Sequence, residues 1–110
     1  MPFFKSTPKK LVALLNDAVE ILTQVGETHW SAWLASCRTQ IAADAKSGSN
    51  HLLTAFGGMG SFNDLWLCQI NGHRALPADE SEINAKLDDI RSRMYDLAQQ
   101  IQKSGNHGPI

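Results

Sequence analysis

Cysteine is nearly absent from this chain: Cys37 and Cys68 are its only two. They form no CxxC pair and no disulfide framework, and both sit in apolar stretches, where a free thiol behaves as a small buried hydrophobe. The expectation is two reduced thiols in a reducing compartment. Long apolar runs are missing as well. The opening stretch, MPFFKSTPKKLVALLNDAVEILTQV, sets basic residues before apolar ones. A signal peptide needs an uninterrupted apolar core, and Asn16, Asp17 and Glu20 break this one. Nothing approaches the length of a membrane span, so the chain reads as soluble and cytoplasmic, with no membrane partner. An excess of one charge is lacking too, with 10 basic and 11 acidic side chains and a formal net charge of −1. That excludes the clustered positive charge of bulk nucleic-acid binding, and equally a strongly acidic DNA mimic.

Catalytic and metal signatures are also wanting. His29, His51, His73 and His107 are never spaced i, i+4, and there is no HExxH and no Cys/His cluster. Scattered surface or capping histidines are favoured over a folded site of His51, His73, Asp64 and Cys68. No metal and no cofactor is expected.

What the chain does contain is helical periodicity. Its 110 residues suffice for one modest core, burying roughly 60–70% of the surface the unfolded chain exposes. Thr7 and Pro8 suit a helix start. Leu11, Leu15, Ala18, Leu22 and Val25 then follow at steps of four and three, and Gly26 suits a left-handed cap. Trp30, Leu34, Cys37, Ile41 and Ala45 predict a second helix over about 28–46, stopped by Gly48 and antiparallel to the first. Residues 49–56 predict a short helical piece capped by Ser49 or Asn50. Phe62, Leu65, Trp66, Cys68 and Ile70 predict a helix that is apolar almost all round and buried on most sides, ended by Asn71–Gly72. Residues 73–79 read as a loop. Asp79 and Glu82 form a capping box for a last helix to about Lys103, with the stripe Ile83, Leu87, Ile90, Met94, Leu97 and Ile101. That stripe serves the chain's own core or a coiled-coil seam in a homodimer. The expected architecture is all-α, a four-helix bundle with a short extra helical segment before a Gly-rich corner. It forms one domain over 1–110, with 1–7 and 104–110 as flexible termini.

That corner, AFGGMGSFNDLWLC, places Gly57, Gly58 and Gly60 within four positions. Backbone N–H groups at such a turn form an anion nest in some folds. Here no strand precedes it, no P-loop or GxGxxG spacing is present, no lysine follows, and Asp64 would repel a phosphate. The favoured reading is structural: the glycines let two helices approach closely, Met59 fills the gap and Ser61 caps with Asp64. Asn63 and Asp64 are polar residues in an apolar context, and Asp64 is read as a lock paired with Arg38 or Arg74. Ser61 is not a nucleophile of the GxSxG kind.

The residues HWSAWL, Ile41, Asp44 and LLTAFGGMGSFNDLWL resemble a small uncharacterised bacterial family whose hallmark is a Gly-Gly-Met-Gly-Ser-x-Asn-Asp segment, a domain of unknown function. The resemblance covers roughly residues 11–72 and implies a small helical bacterial protein. It brings no chemistry and no catalytic residue.

Two functions remain in view. The leading one is non-enzymatic protein binding, by analogy a toxin-neutralising immunity protein or adaptor. The partner is then a protein such as a toxin, or a second copy. Trp30 or Trp33, the glycine corner with Met59, and the loop bearing His73 and Arg74 would make contact, because tryptophan is enriched at binding hot spots. The alternative is a small-ligand or anion site, enzymatic or not, formed by Gly57, Gly58, Gly60 and Ser61 with Asn63, Asp64, His51 and His73.

Overall fold

The computed structural model of the chain describes residues 6–57 and 61–105. Within them the fold is all-helical, with four α-helices and no strand: α1 (Thr7–Gln24), α2 (Thr28–Ala43), α3 (Ala45–Leu53) and α4 (Glu80–Gly105). The termini expected to be flexible lie partly outside the described residues; Thr7 already belongs to α1 and Gly105 to α4. Helix α1 packs against α2 and α4, and α3 packs against the same two. No helix of the described residues is long and apolar enough to cross a membrane.

The start of α1 is shifted by one residue from the expectation. Ser6, not Thr7, caps it, its hydroxyl accepting from Lys9 N–H at 3.2 Å. The expected stripe is the buried one: Leu11, Leu15, Ala18, Leu22 and Val25 all lie in the core. The helix closes with paired terminal bonds, Gly26 N–H to Thr23 C=O at 3.1 Å and Glu27 N–H to Leu22 C=O at 2.8 Å. Gly26 sits at φ +79, the left-handed geometry that this ending requires.

The second helix does not run to residue 46. It breaks at Asp44, which is extended (φ −153) and serves both neighbours. Its N–H bonds to Gln40 C=O at 2.8 Å, while its carboxylate accepts from Ser47 N–H at 3.2 Å and so caps α3. Gly48, read as a stop, lies inside α3. A methyl group there would meet the Ile41 backbone nitrogen at 2.5 Å. A close approach of two helices is made here. Gly57 has open space around its Cα and no positive φ; Gly58, Met59 and Gly60 lie outside the described residues. Ser49 and Asn50, read as caps, are interior to α3.

The largest correction concerns residues 61–79. No α-helix forms there; the segment is irregular, with 3₁₀ turns at Phe62–Asp64, Gln69–Asn71 and Pro77–Asp79. Ser61 makes no side-chain cap. The total of four helices survives because the piece expected as a short insert is α3. The α4 stripe packs inward, with Leu87, Ile90, Met94 and Ile101 buried. It is therefore engaged in the protein's own core and does not form an open seam.

Candidate functional site

The irregular segment is held down by bonds that replace a helix ladder. Asn84 is almost fully buried on α4. Its Oδ1 accepts from Leu67 N–H at 2.8 Å and its Nδ2 donates to Leu67 C=O at 2.9 Å. One amide side chain thus satisfies both backbone groups of a buried residue, as a neighbouring strand would. Nδ2 also donates to Glu80 C=O at 2.9 Å. One α4 face further along, Arg91 is 4% exposed. It donates to Phe62 C=O at 2.8 Å and Leu65 C=O at 3.0 Å, pairs with Asp88, and lies over the Phe62 ring at 5.5 Å. Phe62 also meets Trp30 at 5.2 Å and Phe56 at 6.0 Å between ring centroids. A helix over 61–71 loses to this arrangement because side chains 17 to 29 residues away supply the backbone partners.

The other end of the segment is tied to the α1–α2 turn. Arg74 N–H donates to Val25 C=O at 2.8 Å, filling a carbonyl left free at the end of α1. His73 is buried. Its Nδ1 accepts from Cys68 N–H at 3.1 Å, which leaves the ring proton on Nε2, and Nε2 donates to Glu27 at 2.7 Å. The second oxygen of Glu27 accepts from Trp30 N–H at 3.2 Å, so the carboxylate also caps α2. Burial pushes the Glu27 carboxyl upward, but the bonds from His73 and Trp30 and the nearby His73 and His29 outweigh it and hold it below its ordinary 4.5.

Held this way, residues 61–76 turn several apolar side chains outward. Trp66 is 48% exposed, Leu76 63% and Ile70 96%. Ile70 lies in a 3₁₀ turn closed by left-handed Gly72. The tryptophan expected to be buried is therefore exposed, whereas Trp30 and Trp33 are half-buried and pack edge to face at 5.5 Å. A shallow depression of about 280 Å³ opens beside Trp66, reaching Glu27, Trp30, Ser61, Asp64 and His73. A second hollow, of about 440 Å³, lies over Arg91 between Phe56, Asn63 and Tyr95.

Residues 23–75 match the model of a family described as a domain of unknown function (DUF6966). No curated protein and no solved structure matches the chain. The matched stretch, similar to an uncharacterised family, runs from the end of α1 through α2, α3 and the segment up to Ala75. It contains the Glu27–His73 pair and the Cys68 and Val25 contacts. It excludes Asn84 and Arg91, which fasten the same segment from α4.

The residues singled out in the sequence are thus distributed over several places. Ser61, Asp64 and His73 share the smaller depression with Trp30. Asn63 faces the other hollow. His51 packs on Trp33 at 4.9 Å, with its Nδ1 2.7 Å from Gln40 Oε1, and lines neither hollow. Arg38 donates to Asn16 on α1 at 2.8 Å, and the guanidinium of Arg74 lies beside Gly26. Among the described residues no group of three His, Cys, Asp or Glu is placed to hold a metal ion. Burial pushes the Cys37 thiol up to about 11, as suits an inert core residue. Asn84 and Arg91 have no role in the sequence reading, and Ile70, expected on a buried helix, is almost fully exposed. The signal for the first two was present: they are polar residues seven apart, in phase with buried Leu87 and Met94.

Proposed function

We propose that this chain is a non-enzymatic protein-binding domain: a rigid four-helix bundle of bacterial type that presents residues 61–76 to a protein partner, in the manner of a toxin-neutralising immunity protein or an adaptor. One observation carries this reading. Of the four large apolar side chains exposed among the described residues, Trp66, Ile70 and Leu76 fall on one short segment whose backbone is fixed by buried hydrogen bonds. Single exposed apolar residues are ordinary, whereas grouped ones mark interaction surfaces. Fixing the backbone beforehand removes much of the ordering cost of association. His73 and Glu27 are engaged in holding the segment: both nitrogens of His73 and both oxygens of Glu27 are bonded.

The experiment is affinity capture from the source cells with wild-type protein and with a Trp66→Ala/Ile70→Asp variant. Both positions are exposed, so the variant should keep the wild-type circular dichroism and melting temperature. The reading expects a stoichiometric protein partner held by wild type and lost by the variant. Equal capture by both, or no partner for either, contradicts it.

A further inference from the structure

The depression beside Trp66 is selective in its chemistry. Around it stand two carboxylate residues, Glu27 and Asp64, two indoles, Trp30 and Trp66, and Ser61, Leu65 and Asn71. His73, also in the wall, is bonded at both ring nitrogens. No lysine or arginine among the described residues lines it. The carboxylate of Glu27 retains lone pairs beyond those given to His73 and Trp30 N–H, because a carboxylate offers about four acceptor positions. Ser61 Oγ is buried and has no hydrogen-bond partner among the described residues. At about 280 Å³ the space falls just below the range of about 300–1,000 Å³ typical of drug-sized ligand pockets. It suits one side chain better than a cofactor.

The geometry points to this depression as the receptor for a single basic side chain, lysine or arginine, carried by the protein partner of the Trp66–Leu76 surface. The inference rests on the protein-binding reading and adds the partner's chemistry. A cation placed here meets the indoles of Trp30 and Trp66, a ring type that attracts positive charge, and carboxylates that accept charge-assisted hydrogen bonds. An acidic side chain would meet two like charges. An apolar one would desolvate both carboxylates without replacing their hydrogen bonds. Trp66 lines the depression, and the exposed Ile70 and Leu76 follow it on the same segment, so the anchor and the apolar contacts would belong to one interface, the pairing found at binding hot spots.

The test is a nuclear magnetic resonance titration of the full chain, following the indole N–H signals of all three tryptophans. The probes are N-acetyl-lysine methylamide and N-acetyl-arginine methylamide. N-acetyl-norleucine methylamide serves as the uncharged match to lysine, and N-acetyl-glutamate methylamide as the anion. The expected result is saturable movement of the Trp30 and Trp66 signals at millimolar cation, with the norleucine compound about tenfold weaker. Asp64→Asn and Glu27→Gln should each weaken cation binding at least severalfold. Asp64 is exposed, so its variant stays informative if Glu27→Gln loosens the fold. Absence of saturable movement, equal response to norleucine, or unchanged binding by Asp64→Asn in a folded protein overturns the inference. If partner capture depends on Trp66 and Ile70 while these probes fail, the surface stands and the basic anchor is removed. If capture is indifferent to Trp66 and Ile70, the surface reading itself fails, whatever the probes do.

Discussion

At the scale of the residue, Asn84 carries more than its size suggests. Replacing it with alanine strands a buried N–H and a buried C=O on Leu67. Each such group costs about 1–3 kcal/mol when left unpaired, so Asn84→Ala should lower stability by about 2–4 kcal/mol in urea unfolding. Asn84→Asp should not rescue it, because a buried carboxylate would face the carbonyl oxygens of Leu67 and Glu80, to which it cannot donate. Glu27 supplies a prediction in pH. Its folded-state carboxyl titrates below 4.5, so its contribution to stability is complete above that value and disappears as pH falls through the lower, folded one. The stability gap between wild type and Glu27→Gln should therefore be constant near neutrality and shrink on acidification below 4.5. A gap that stays level or widens in acid would refute the assignment. Little at this scale could be read in advance. The Gly26 cap was legible because only a local backbone geometry is involved. The roles of Asn84 and His73 were not, because their partners lie on other elements.

At the scale of the element, legibility followed periodicity. Helix α1 and most of α4 were visible in the spacing of their leucines and isoleucines, and the residues of the expected stripes are buried except Ile83 and Leu97, which are partly buried. The α2–α3 break at Asp44 was missed because apolar spacing continues across it. What decides there is the steric fit of Gly48 against Ile41, which periodicity does not register. Residues 61–71 were misread because their composition is apolar enough for a buried helix. Their backbone groups instead bond to Asn84, Arg91 and His73. Gly48→Ala separates two effects. Alanine favours a helix interior by about 0.5–1 kcal/mol over glycine, but its Cβ would sit 2.5 Å from the Ile41 nitrogen. Overpacking of this kind costs about 1–3 kcal/mol, and backbone atoms cannot swing aside. The net expectation is a loss of stability and a lower melting temperature. A stabilised Gly48→Ala protein would show that α3 does not lie against α2 in this way.

At the scale of the whole molecule, the helices act as a frame and residues 61–76 as what the frame displays. The segment is fastened at three places: to α4 by Asn84 and Arg91, to the α1–α2 turn by His73 and Glu27, and to the end of α1 by Arg74 N–H. Trp66 and Ile70 stand outward between these anchors. The all-helical class came from spacing, whereas the protein-binding reading came from the lack of a catalytic set and from analogy. The display surface came only from the three-dimensional arrangement, since an exposed Trp66 and a buried one have the same sequence. The central claim is that this irregular segment is as firmly held as the helices beneath it. Amide hydrogen exchange at Leu67 and Cys68 measures this most directly. Protection near that of the α1 core amides, lost at both positions in Asn84→Ala, is the predicted result; exchange at the rate of a solvent-exposed loop in the wild-type protein would contradict it.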